Sequence, residues 1–320
     1  MAKKVDSRLC GIDVSKRTLD IALEGSQSVE SIVNSVEAID EWLRDQAVPL
    51  RIGLEATSTY HEVFVEQALL QGHTVYLVNP KQLKHYREAV GVRAKTDSHD
   101  ALLLRRYLAQ EGQHLRPLSL RNTKEKQLWQ LLKRRGSVVK MRQRLRQSCE
   151  DLPNLEADVE QLVGSVGQLL KKIDRELMKL AKALKWQPLI SRVTSIPGLG
   201  PLNGLALTAC YHRGEFRSVD AFIAFIGLDV RVRDSGSMRG KRKLTKQGEP
   251  ELRRLLYNAA MSFDRNVQYR PYRESLMARG LSSTAAYVVI ARKLARVAFT
   301  LLRKNVEFDD NVFTIPCKTT

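Results

Sequence analysis

Leu9-Cys-Gly-Ile-Asp-Val-Ser-Lys-Arg-Thr-Leu-Asp-Ile-Ala-Leu23 is the stretch on which the fold turns. Short apolar runs flank a polar Ser15-Lys-Arg17 turn, which predicts two strands, 9–12 and 19–23, folded as a hairpin. Reading outward, 28–33 forms a third strand and 36–45 a helix. A strand at 50–54, a helix at 60–70 and a strand at 73–78 follow, closed by Asn79-Pro80. Three strands and then alternating helix and strand give an α/β domain with a mixed sheet. Two of its strands carry acids where apolar residues belong: Asp13 after Gly-Ile, and Glu55 after Ile-Gly-Leu. A carboxylate at the end of an apolar strand is costly without a ligand or partner.

A second pair of acids, Asp97 and Asp100, lies in Lys95-Thr-Asp-Ser-His-Asp-Ala101. Alone, this spacing reads equally as a helix cap with an acid in the first turn. Taken with Asp13 and Glu55, it suggests one oxygen-only site for a hard cation, Mg²⁺ or Mn²⁺. Such a site activates attack on a phosphodiester. The six histidines show no ligand spacing.

The charge points to the same substrate. The chain of 320 residues has a formal net charge of +18, yet residues 1–110 hold 14 basic and 15 acidic side chains. The positive excess therefore lies downstream of the acids, where phosphate attraction and counterion release favour nucleic acid. A length of 320 residues implies two or three domains. With 43% hydrophobic and 28% charged residues the chain reads as globular. No apolar run is long enough to span a bilayer, and the start Met-Ala-Lys-Lys-Val-Asp-Ser has no signal-peptide core. Cys10, Cys149, Cys210 and Cys317 are scattered, as expected of reduced thiols in a cytoplasmic protein.

Beyond the α/β domain, assigned to 1–120, the pattern turns helical. Leu155, Val159, Leu162, Val166, Leu169 and Ile173 step by four and three, and the seam resumes at Leu177, Leu180 and Leu184. This is the signature of a coiled-coil arm over 121–188. Its partner is either a preceding basic helix, in an internal hairpin turned at Leu152-Pro-Asn154, or a second subunit. A mainly helical domain, 189–320, completes an α/β plus α architecture. It opens with Ser195-Ile-Pro-Gly-Leu-Gly200, which fits a helix-hairpin-helix unit in which Gly198 and Gly200 let backbone N–H groups approach a phosphate. An ordinary turn has the same composition. Arg231-Val-Arg-Asp-Ser-Gly-Ser-Met-Arg-Gly-Lys-Arg-Lys243 places two serines among Arg231, Arg233, Arg239, Lys241, Arg242 and Lys243. These cations either merely neutralise phosphates or assist a serine nucleophile.

Six motifs then occur in a specific order: Gly11-Ile-Asp-Val-Ser-Lys16, Leu54-Glu-Ala-Thr57, Lys95-Thr-Asp-Ser-His-Asp-Ala101, Ser195-Ile-Pro-Gly-Leu-Gly200, Phe225-Ile-Gly-Leu228 and Asp234-Ser-Gly-Ser-Met-Arg-Gly240. Together they resemble the DEDD transposases of the IS-one-ten insertion-sequence family, relatives of the Piv invertase, over nearly the whole chain. The resemblance implies a RuvC-like domain of ribonuclease-H fold, a coiled-coil segment and a C-terminal transposase domain. It implies that Asp13, Glu55, Asp97 and Asp100 bind Mg²⁺, and that Ser235 attacks DNA and joins it covalently. It also implies donor and target DNA, a guide (bridge) RNA, and dimers that assemble into tetramers. The rival expectations are a RuvC-like endonuclease, which needs the acids but not Ser235, and a non-enzymatic helix-hairpin-helix protein.

Overall fold

The computed structural model describes residues 7–26, 28–55, 59–91, 97–120, 122–231, 234–235, 238–239 and 243–310. The chain divides into two compact units, Met1–Arg121 and Asn122–Thr320.

The first unit begins with β1 (Arg8–Val14), β2 (Thr18–Leu23) and β3 (Glu30–Val33), followed by α1 (Val36–Arg44) and β4 (Leu50–Glu55). Next come α2 (Glu62–Leu70), β5 (Thr74–Val78), α3 (Pro80–Ala89) and α4 (Asp97–Glu111). The five strands form one mixed sheet in the order β3-β2-β1-β4-β5. β1 pairs antiparallel with β2 and parallel with β4, and β4 pairs parallel with β5. The expected mixed sheet with helices is therefore present. Side chains alternate across it. Cys10, Ile12 and Val14 enter a core with Ile39, Trp42, Leu43 and Phe64.

One helix was absent from the sequence expectation. Asn79-Pro80 reads as a stop after β5, but it is also a start signal. The Asn79 side chain accepts a hydrogen bond from the Lys81 N–H, and Pro80 occupies the first helical position of α3.

The second unit opens with two long helices, α5 (Thr123–Ser148) and α6 (Glu156–Ala183). They run antiparallel, tied by Arg146–Glu160 at 2.9 Å and by Arg135–Asp174 at 2.5 Å. α7 (Gln187–Thr194), α8 (Pro201–His212) and α9 (Val219–Ile226) follow. Four two-residue strands come next: β6 (Val230–Arg231), β7 (Asp234–Ser235), β8 (Met238–Arg239) and β9 (Lys243–Leu244). The chain ends in α10 (Pro250–Arg265), α11 (Arg270–Ala278) and α12 (Ser283–Lys304). Leu128, Trp129 and Leu132 of α5 and Ile173, Leu177 and Ala181 of α6 share one hydrophobic core with α7 to α12. Buried Glu251 of α10 reinforces that junction, accepting from Arg135 at 3.1 Å and from Arg254 at 2.7 Å.

The apolar seam of α6 differs in detail from the one read in the sequence. Val163, Leu170, Ile173, Leu177 and Ala181 are the buried positions, whereas Leu155, Leu162 and Leu169 are 46%, 55% and 45% exposed. Two heptad stripes overlap on this helix and share Val159, Val166 and Ile173. α5 covers only one of them.

Candidate active site

The arrangement of the acids follows from two glycines. A Cβ on Gly11 of β1 would lie 2.1 Å from the Ala101 carbonyl and 2.3 Å from the Arg105 nitrogen. Only glycine lets the α4 backbone press this closely onto β1. On β4, a Cβ on Gly53 would meet Leu104 and Leu108 of α4 at 3.3 to 3.5 Å. Further back along the chain, Arg51 reaches Gly112 just after α4. Strand numbers thus fall as helix numbers rise. α4 runs antiparallel to both strands, so its first turn lies over their carboxyl ends.

Asp13 and Glu55 lie at those ends, each two residues beyond its glycine and so on the same face as α4. Gly11 pairs with Gly53 and Ile12 with Leu54, and the next step of this register sets Asp13 beside Glu55. Two strand residues advance about 6.6 Å, and the one helical turn from Ala101 back to Asp97 spans about 6 Å. The distances match. Asp13, Glu55, Asp100 and the backbone of Asp97 are thereby placed at one edge of the sheet.

Asp13 and Glu55 are half-buried and Asp100 is buried, at 8% exposure. Asp100 accepts from Arg87 of α3 at 2.5 Å, within an ion pair largely shielded from water. Arg87 is a site residue that the sequence reading missed; its signal was the helix start at Asn79-Pro80. Asp20, the cross-strand partner of Asp13, is a further acid on this face. The hairpin register could have revealed it. Among the described residues no group of three or more His, Cys, Asp or Glu is set to hold a metal ion. The side chain of Asp97 lies outside them. The donor chemistry fits a hard divalent cation nonetheless, because every predicted ligand is a carboxylate.

The serine region belongs to the second unit. Val230 pairs with Leu244 and Arg231 with Lys243. Asp234 pairs with Arg239 and Ser235 with Met238. The basic loop is thus built on antiparallel ladders that fix the backbone of Ser235 opposite Met238. Arg231 and Lys243 are exposed at the ladder's base. Arg233, Lys241 and Arg242 lie outside the described residues, as do the side chains of Ser235 and Arg239.

The proposed phosphate-binding glycines differ from each other. Gly198, with φ +84°, faces inward; a Cβ there would lie 2.7 Å from the Ala259 carbonyl and from the Phe263 nitrogen of α10. Its conformational freedom serves packing. Gly200 caps α8 in an extended conformation, and a Cβ there would meet open space. Gly200 therefore leaves the start of α8 accessible to an anion.

Comparison with known proteins adds a family signature to this geometry. The family model for the DEDD transposase of IS110, described as a transposase, matches residues 10–155. A second model, described as the transposase of the IS116/IS110/IS902 family, matches residues 190–273. The pilin gene-inverting protein of Moraxella bovis is 26% identical over 317 residues, covering 94% of this chain and 98% of its own. The Moraxella lacunata protein of the same name is 27% identical over 319 residues, with the same coverage. A solved RuvC structure from Thermus thermophilus matches at a TM-score of 0.25 and 15% identity, covering 35% of this chain and 99% of that one.

Proposed function

Because this chain belongs to the IS110 family of transposases, we propose that it excises and inserts a mobile DNA segment through a covalent phosphoserine intermediate. The observation that carries this reading is the antiparallel crossing of α4 over β1 and β4, fixed at Gly11 and Gly53. It aligns the first turn of α4 with Asp13 and Glu55 at one edge of the sheet.

In this reading Asp13, Glu55, Asp97 and Asp100 hold the divalent cation, Mg²⁺ or Mn²⁺. When bound, that cation supplies Lewis-acid polarisation of the scissile phosphate. The carboxylates orient it and keep the site anionic enough to retain it. Arg87 neutralises Asp100 and restrains it in the folded protein. Ser235 provides the nucleophile. Its Oγ forms an ester to phosphorus as the bond to one deoxyribose oxygen breaks. The serine proton is lost as that oxygen gains one, so the step is balanced. Attack by the hydroxyl of another strand reverses it. No external energy source is needed, because the ester conserves the phosphodiester energy. Arg231 and Arg239 supply positive charge for the developing anion.

The family reading further supplies donor and target DNA, a guide RNA paired with both, and dimers joined as tetramers. Within these, acids and serine of one site come from different subunits. It places the protein in a bacterial cytoplasm; among the described residues no helix is long and apolar enough to cross a membrane. The test is denaturing electrophoresis of labelled DNA with the protein, its co-purifying RNA and Mg²⁺, followed by peptide mapping of any adduct. Wild type should yield an adduct at Ser235. Ser235→Ala should bind both nucleic acids yet give neither adduct nor recombinant. Adduct in Ser235→Ala, or wild-type cleavage that never passes through an adduct, would refute the serine mechanism and favour hydrolysis.

A further inference from the structure

α12 is mostly an interior helix, with Ile290, Ala291, Leu294, Ala295, Val297 and Ala298 all buried. Its remaining face is strongly basic. Between Ser283 and Lys304 it carries Arg292, Lys293, Arg296, Arg303 and Lys304 and no acid. Arg292, Lys293, Arg296 and Thr300, with Val219 of α9 and Tyr272 of α11, line a concavity of about 440 Å³. No lining residue is acidic. All three cations are half-buried. Lys293 lies over the Tyr272 ring, 5.1 Å from its centre. Arg296 reaches Asp220 on the rim at 2.5 Å. The Nε of Arg292 is buried and, among the described residues, has no hydrogen-bond partner. Holding cations in a partly desolvated wall is costly unless an anion joins them. The groove lacks that anion.

We propose that this groove is a binding site for the phosphodiester backbone of a nucleic acid, separate from the serine hairpin and the acidic edge. The inference rests on the transposase reading for the kind of polyanion involved. Its length argues against a single small anion. Arg292, Arg296, Thr300 and Arg303 recur at steps of four, four and three, so they follow one face of the helix for about 16 Å. Half-buried Tyr272 offers an aromatic surface beside the cations, a combination suited to nucleic acid. α12 lies wholly beyond residue 273, where the second family model ends.

The experiment is fluorescence anisotropy with the full-length protein, on random-sequence duplex DNA and on single-stranded RNA of equal length, across a range of salt. Arg292→Gln combined with Lys293→Gln should lower the slope of log affinity against log salt. Removing two phosphate contacts predicts a fall of about 1.8 for duplex DNA or about 1.4 for single-stranded RNA. The control removes the same charge from exposed positions of α6, Lys171→Gln with Lys172→Gln. A fall on DNA alone or RNA alone identifies the occupant; equality with the control on both overturns the proposal. Circular dichroism checks folding. Should the double variant unfold, Thr300→Glu adds a carboxylate to the groove and should weaken binding about tenfold. Unchanged binding by folded Thr300→Glu would also overturn it. The wild-type serine adduct is read separately, so failure of the groove and failure of the recombinase reading are distinguishable.

Discussion

Gly11 does its work by having no side chain. Gly11→Ala would drive a methyl group into the Ala101 carbonyl and the Arg105 nitrogen, and neither backbone atom can swing aside. The substitution should cost about 3 kcal/mol or more, read as a lower denaturation midpoint, with loss of DNA cleavage because α4 is displaced. Asp100 separates chemistry from stability differently. Asp100→Asn keeps the shape but removes the charge that meets Arg87. It should abolish cleavage in Mg²⁺ while leaving nucleic-acid affinity within about twofold, because the basic surface lies elsewhere. Near-full recombination by this variant would return Asp97 and Asp100 to the role of a helix cap. The positions of Asp13 and Glu55 at the ends of β1 and β4 were legible in the sequence, since an acid interrupting an apolar strand is conspicuous. The role of Arg87 was not legible. It depends on how α3 packs beside α4, which no local pattern encodes.

At the scale of elements, the strands and helices of the first unit follow from alternation and capping, and the sequence boundaries differ from the observed ones by only a few residues. α6 is less legible because its apolar residues satisfy two heptad registers at once. Periodicity cannot decide which stripe α5 covers. The uncovered residues give a direct test of subunit pairing. Leu162→Asp combined with Leu169→Asp alters side chains that are already half exposed, so the protein should remain folded. If the second stripe joins subunits, light scattering should show a smaller particle. An unchanged mass would confine the seam to the internal hairpin. A second element-level test concerns acid. The Leu50 N–H at the start of β4 donates to Nδ1 of buried His73 at 3.0 Å. Burial holds the pKa of His73 below its ordinary 6.5. The depressed value means that stability is fully present above about pH 6.5 and is lost as pH falls toward the folded-state value. Hydrogen exchange in β4 should therefore accelerate between pH 7 and 5 beyond the intrinsic change. His73→Asn, which keeps an acceptor that does not titrate, should flatten that dependence.

At the scale of the molecule, the acids and the serine belong to different compact units. If one active site draws on two subunits, mixed assemblies can recover what each parent lacks. Asp100→Asn and Ser235→Ala should each be inactive alone, and a co-expressed mixture should regain roughly a quarter of wild-type recombination, on the independent-site reasoning behind. A mixture as inactive as its parents would place all five residues of a site in one subunit. The partition of charge was legible from counting residues, as was the order of the motifs. What counting could not reveal is that the base of the α5–α6 hairpin belongs to the C-terminal core, because that depends on contacts between residues far apart in sequence. Separate cores also shape what a calorimeter records. A protein with two such cores has no obligation to melt in one cooperative step, and a single melting temperature would then describe neither core. Gly11→Ala should move only the endotherm of the first unit. An account of heat inactivation must therefore first ask which core has melted.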